Sequence, residues 1–200
     1  VRNPEAVRWW NGFLEDFLNN YPAIDGVDFG EPIISWQPEQ ACYCRYCTAA
    51  VDRDGADQSR GVIRAKGMTS LLKDSIRIVH QAGKQASVTS VQSARADGSL
   101  VTPEEFRDRT GFDLTAVLHA PGDSAPDIIC PEFIWQEWKS HFDGGDSDSL
   151  FTPDWVRSAM RQFMHWVDTP VQVIGHVEIA DFPSVEPSPD DLAAAILKVF

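Results

Sequence analysis

The chain has 200 residues, 43% of them hydrophobic, enough to bury a core and, by length, to form one domain. Acidic residues outnumber basic ones 30 to 17, and five histidines cannot reverse a formal charge of −13, so the summed field repels phosphate backbones and anionic lipid and argues against both as partners. No apolar run approaches the roughly 20 residues that span a bilayer, and the first residues lack the basic-then-apolar pattern of a signal peptide, so a soluble protein is expected.

Helix and strand signals alternate along the chain. A helix is predicted from Asn3-Pro4-Glu5 to about Asn20, with Val7, Trp10, Phe13, Leu14, Phe17 and Leu18 on one stripe. The apolar run Ile24 to Glu31 is a strand that stops at Glu31-Pro32, and Cys42-Tyr43-Cys44-Arg45-Tyr46-Cys47 comes eleven residues later. A helix over Gly61 to Ala82 meets Gly83 as its C-terminal stop, and Gln85 to Val91 is the next strand. Thr102-Pro103-Glu104 opens another helix with the signal already seen at Asn3: a capping side chain, proline at the first helical position, and an acid for the positive end of the dipole. Asp127 to Glu132 forms a strand, and the polar stretch 143–149 a solvated loop. The same start signal recurs at Thr152-Pro153-Asp154, before Val156, Met160, Phe163, Met164 and Val167. It recurs again at Ser188-Pro189-Asp190, before Leu192, Ala195, Ile196 and Val199. Between these two helices, Val171 to Ile179 is a strand.

Strands that alternate with helices form a parallel sheet with helical crossovers. Four convincing strands, flanked by helices at both ends of the chain, fit a piece of a (β/α)8 TIM barrel, which takes eight strands and typically about 250 residues. The fold class is therefore α/β, with residues 1–200 as a single, partial barrel domain; an open four-stranded α/β sheet is the alternative.

Chemistry in a barrel sits at the C-terminal ends of its strands. Glu31 ends the first strand, and Glu178 ends the last, where alternation places Gln172, Ile174, His176 and Glu178 on one face. Two carboxylates flanking a sugar bond perform glycoside hydrolysis, one protonating the leaving oxygen and the other attacking or activating water. The bland reading is that acids near strand ends are common in so acidic a chain. Glu132, after Cys130-Pro131, ends a third strand and is a candidate for substrate contact or support. Sugars present flat apolar faces on which aromatic rings stack, so Trp36 and Trp135, beside Gln37 and Gln136, are candidate platforms just after strand ends. His176 can bond substrate or orient Glu178. Trp9, Trp10, Trp155 and Trp166 fall in helices, where packing is the ordinary role.

Three thiolates at the spacing Cys42-x-Cys44-x-x-Cys47 can converge on one tetrahedral ion, and zinc accepts Cys ligands freely. Such a zinc is structural, tying down the loop after Glu31. Its fourth ligand is Cys130, a histidine or a residue outside this chain, the last being favoured. A redox role for Cys44-Arg45-Tyr46-Cys47 is the rival, although that chemistry wants the pair at a helix start and has no use for a third thiol. The clustered thiols favour a reducing, cytoplasmic compartment.

Gly30-Glu31-Pro32 at a strand end resembles the Asn-Glu-Pro signature of the retaining glycoside hydrolases of clan A. Counting Glu31 as the end of barrel strand four, the resemblance implies that Glu31 is the general acid/base and that Glu178, on strand seven, is the nucleophile. The cysteine cluster after the acid/base position is similar to that of the β-galactosidases of glycoside hydrolase family 42, which implies a structural zinc with a further cysteine from the preceding strand region. Gly30 stands where the family has Asn. The resemblance covers barrel strand four to helix seven and implies a carbohydrate substrate and carboxyl groups about 5 to 5.5 Å apart, the separation of retaining enzymes. A non-catalytic carbohydrate-binding or scaffold barrel that keeps the zinc loop is the other functional reading. Sugar, linkage and oligomeric state are not encoded in these motifs.

Overall fold

The computed structural model describes residues 2–34, 42–55, 60–143, 150–177 and 189–199. Its secondary structure is mixed α/β, and its residues, read above as one domain, group into two compact units: 1–88 with 102–128, and 89–101 with 129–200. Two strands run through both units: β2 (Gln85–Val91) and β3 (Ile128–Phe133).

The first unit is built on α3 (Arg60–Gln81), against which α1 (Pro4–Asn20), α2 (Arg45–Asp54), α4 (Pro103–Thr110) and α5 (Leu114–Leu118) all pack. Helix α3 is buried on more than one side, by Ile63 on one and by Ala65, Leu72, Ile76 and Val79 on the other. Capping fixes where these helices begin. Asn3 accepts the Glu5 N–H at 3.0 Å, and Thr102 and Glu105 form a reciprocal capping box before α4. Gly83 at φ 71 and Gly111 at φ 78 end α3 and α4 in the left-handed conformation that glycine adopts without a Cβ penalty. On β1 (Gly26–Gly30), Phe29 is buried; on β2, Ala86 and Val88 are. Asp28 and Ser87, the alternate residues, are hydrogen-bonded to each other.

The α1 stripe needs a correction. Leu14 and Leu18 enter the core, but Phe13 is 49% exposed and Trp9 69%, because Trp9, Phe13, Phe17 and Tyr21 stack on one another along the helix rather than under it. Trp10 does pack inward, its indole N–H donating to the Ser75 hydroxyl at 2.8 Å.

The second unit holds the rest of β2 and β3, α6 (Trp135–Asp143), α7 (Pro153–Trp166), β4 (Gln172–Val173), β5 (His176–Val177) and α8 (Pro189–Val199). Thr152 caps α7, which buries Trp155, Val156, Ala159 and Phe163; the Trp155 indole N–H donates to the Gly98 carbonyl at 2.6 Å. Met164, expected inside, is 46% exposed. The single strand expected over 171–179 is two short strands interrupted at Ile174 and Gly175, whose pairing differs: β4 comes after β3 in the sheet order, and β5 pairs with β3 in parallel, Glu132 opposite His176. Alternation survives the break, with Gln172, Ile174 and His176 outward and Val171, Val173 and Gly175 half-buried. Helices α2, α5 and α6 were not expected. Strand order is β1-β2-β3-β4, parallel with helical connections, as the α/β class requires.

Asp127, just before β3, ties three elements of the first unit. Its carboxylate accepts the Ala86 N–H at 2.8 Å and lies 2.9 Å from His80 Nε2 at the end of α3, while His80 Nδ1 lies 2.8 Å from the Asp123 carbonyl. Both ring nitrogens thus face oxygen atoms. Burial alone would raise the Asp127 carboxyl, but the Ala86 N–H and His80 outweigh it and hold it below the ordinary carboxylate range. A depressed carboxyl contributes stability above its unfolded pKa and loses that contribution as pH falls through the folded one. Asp127→Asn should therefore lower stability at pH 7 by on the order of 1 kcal/mol, the group being partly solvated, and the gap from wild type should close at a pH acid enough to protonate the folded carboxyl. Urea unfolding of both proteins at the two pH values checks this.

Candidate metal centre and strand-end carboxylates

Glu31 comes directly after the last residue of β1 and is exposed, with φ 44. It is the one non-glycine residue with positive φ among those described, and a bulky side chain there costs of order 1 kcal/mol or more. The next three residues hold this strain in place. The Ile33 N–H donates back to the Glu31 carbonyl at 2.6 Å, Pro32 is buried, and the Ile34 N–H donates to the Thr110 carbonyl at the end of α4 at 2.8 Å. The backbone is thus fixed on both sides of Glu31, which leaves the carboxylate outward at the C-terminal end of a parallel strand.

Trp36 and Gln37 lie outside the described residues, as does Glu178. The chain is described again from Cys42. Cys44 is the N-cap residue of α2 and Cys47 lies in its first turn, so the cysteines occupy a helix start and not the open loop that their spacing implied. The Sγ atoms of Cys42, Cys44 and Cys47 all lie within 4.8 Å of one another. Their local bonds explain the convergence: the Cys44 N–H points at Cys42 Sγ at 3.5 Å, and Thr48 returns its N–H to the Cys44 carbonyl at 2.9 Å.

The three thiols are not equivalent. The Cys47 N–H, then the Cys42 thiol, stabilise a thiolate at Cys44 and lower it to about 7. Burial and the two neighbouring thiols push Cys47 up to about 11. Three sulfurs this close cannot all ionise without a cation among them. Zinc can meet the need, since tetrahedral Zn–S bonds of about 2.3 Å put ligand sulfurs about 3.8 Å apart, inside the 4.8 Å within which all three lie. Among the described residues no further His, Cys, Asp or Glu joins the three, so a fourth ligand is not found there. The start of α2 is the setting that a Cys-x-x-Cys redox pair uses, contrary to the expectation from sequence; the third sulfur beside it is what favours a metal.

In the second unit the structure brings together two residues that sequence had given separate roles. Glu132 and His176 are register partners on β3 and β5, with Nδ1 3.5 Å from Oε1. The His176 side chain is half exposed and that of Glu132 is 19% exposed, while Ile129, Pro131 and Phe133 are buried on the alternate positions of β3. Cys130 shares the half-buried positions with Glu132. Trp135 is not a rim platform. It is 1% exposed and Gln136 5%, because α6 begins at Trp135 with only Ile134 between it and β3, and the first turn carries the ring straight into the core. Gln92, which sequence reasoning passed over, sits at the end of β2: it is buried, its N–H donates to the Glu132 carbonyl at 2.8 Å, and its side-chain amide donates to the Ser90 carbonyl at 2.8 Å. The strand-end rule that singled out Glu31 would have found it.

No protein family, curated protein or solved structure matches the chain.

Purified protein should carry about one zinc per chain, and Cys42→Ser or Cys47→Ser should reduce that content to a small fraction, since losing one of three thiolates leaves a two-sulfur site. A chelator should lower the melting temperature of the wild type and leave the serine variants unmoved. Elemental analysis with thermal unfolding checks both; a metal-free wild type with an unchanged melting curve contradicts the assignment.

Proposed function

We propose that the chain belongs to an enzyme that hydrolyses glycosidic bonds by a retaining mechanism, with Glu31 as general acid/base, Glu178 as nucleophile and a carbohydrate as substrate. The observation that carries the reading is the strained, anchored and outward-facing Glu31 at the C-terminal end of a parallel strand. A left-handed glutamate before proline is costly to maintain, and such outliers cluster where a side chain has to be aimed. Further support comes from the polar groups that end the other strands, Gln92 after β2 and the Glu132–His176 pair on β3 and β5. Parallel α/β sheets bind their ligands at those ends.

In this reading a protonated Glu31 pushes the leaving oxygen out, then as a carboxylate takes a proton from the water that releases the sugar. Glu178 attacks the anomeric carbon and forms the covalent intermediate. The Glu132–His176 pair would bond substrate hydroxyls. The thiolate centre would tie down the start of α2, and its metal is structural and takes no part in bond cleavage.

Kinetics on aryl glycosides test the assignment. Glu178→Gln should abolish turnover for every leaving group, whereas Glu31→Gln should cost about 10²- to 10⁴-fold with a poor leaving group and far less with a dinitrophenol that needs no proton. Wild-type protein inert on a panel of aryl glycosides, or both variants turning over at the wild-type rate, ends the proposal. Inert protein that still binds oligosaccharide would leave the non-catalytic barrel in its place.

A further inference from the structure

Beside the thiolate centre, on the side of α2 that faces α3, is a cavity of about 90 Å³ into which three arginines converge: Arg2, Arg60 and Arg64. Three of the chain's 17 basic side chains therefore line one small space in a protein of formal charge −13. A single carboxylate, Asp52, lines it as well, and it is exposed. The floor is apolar, formed by Ile34, Val51 and the fully buried Ile63.

The cations are seated by other contacts than ion pairs. Arg60 lies over the Tyr43 ring, 5.5 Å from its centroid, a cation–π contact that holds the guanidinium without neutralising it. Arg2 donates from Nη2 to the Ile63 carbonyl at 2.6 Å and lies against Gly67, where a Cβ would come within 3.1 Å of Arg2 Cγ and 3.3 Å of its Nε. Arg2 Nε is buried with no hydrogen-bond partner. Among the described residues, Arg60 and Arg64 form no ion pair with a carboxylate. A buried orphan N–H costs about 1–3 kcal/mol, and like charges crowded against an apolar floor repel one another. The second cost is relieved if an acceptor with negative charge enters.

We propose that this cavity is a binding site for a small oxyanion, the shared chemistry of inorganic phosphate and a short carboxylate. Charge decides the class: three arginines and a single exposed carboxylate line a space of several waters, which admits a phosphate or a short carboxylate. Guanidinium forks match the planar or tetrahedral oxygens of such ions, and the apolar floor keeps those bonds out of competing water. The site lies in the first unit, on α2 and α3, and stands independently of the glycosidase reading.

The test uses the zinc-loaded full chain at constant ionic strength, with chloride as the reference salt. Thermal unfolding against phosphate and against acetate should show a saturable rise for one of them, and which one names the source; a melting temperature that tracks ionic strength alone overturns the proposal. Arg60→Gln/Arg64→Gln should weaken that anion at least about tenfold, while Arg8→Gln/Lys73→Gln, which removes two charges elsewhere on the first unit, should change it less than about twofold. Equal binding by both double variants overturns it. So does loss of zinc from the Arg60→Gln/Arg64→Gln protein, since the arginines would then serve as counter-ions to the thiolates. Wild-type protein supplies a readout that needs no variant: the saturating anion should slow phenylglyoxal modification of Arg60 and Arg64, measured by peptide mass, without protecting Arg8. Unslowed modification of Arg60 and Arg64 is evidence against the site.

Discussion

The first unit depends on how closely other elements approach α3. A Cβ on Gly61 would lie 2.2 Å from the Asp108 carbonyl oxygen on α4, and Gly67 gives Arg2 its seat one and a half turns further on, with the buried Ala65 between. Gly61 and Gly67 lie about 120° apart around the helix, so neighbours close in on two sides, and the large side chains Ile63, Leu72, Ile76 and Val79 fill the remaining space at core density. The α4 position set in this way places Thr110, whose carbonyl accepts the Ile34 N–H and so anchors the chain just after Glu31. Gly111 continues the same chain of contacts, since a Cβ there would meet Ile34 at 2.9 Å. The aim of one strained glutamate therefore traces back in part to Gly61 at the start of α3.

That chain of dependence also explains why the strain at Glu31 can persist. An isolated residue at φ 44 before a proline would relax by rotating its backbone, because the cost exceeds thermal energy. Here the residue before it is held in β1, Pro32 is buried, and the N–H groups of Ile33 and Ile34 are both bonded. Relaxation would break two hydrogen bonds and expose the proline ring, each worth as much as the strain relieved. A glycine at this position would remove the strain, so the presence of a carboxylate there is a cost that packing alone does not require.

Local chemistry was legible in the sequence and distant packing was not. Asn3, Thr102 and Thr152 with the prolines after them mark the starts of three helices because capping is decided by neighbouring residues, and Gly83 marks the end of α3 for the same reason. The whole of β2 is legible in its own apolar run. Helices α2, α5 and α6 carry no comparable signal: α5 has five residues and exists because Leu114, Val117 and Leu118 find a buried surface to cover. The rim position expected for Trp135 assumes a loop after the strand end, whereas its burial is set by the entry angle of α6. Cys42, Cys44 and Cys47 are recognisable as a ligand set because six residues contain all three, whereas Arg2, Arg60 and Arg64 meet only after the first unit has folded.

The thiolate centre and the arginine cavity share a wall, and this juxtaposition has an electrostatic logic. Cys42 and Cys47 line the cavity together with the three arginines. Three thiolates around a divalent cation carry one net negative charge, which a nearby guanidinium field favours. The same field favours an oxyanion in the cavity, so metal-bound sulfur and anion draw on the same cations at different distances. Direct hydrogen bonds to an oxyanion are short and directional, and interaction with diffuse sulfur charge is weaker. A metal held by Cys42, Cys44 and Cys47 would brace the start of α2, which packs on α3.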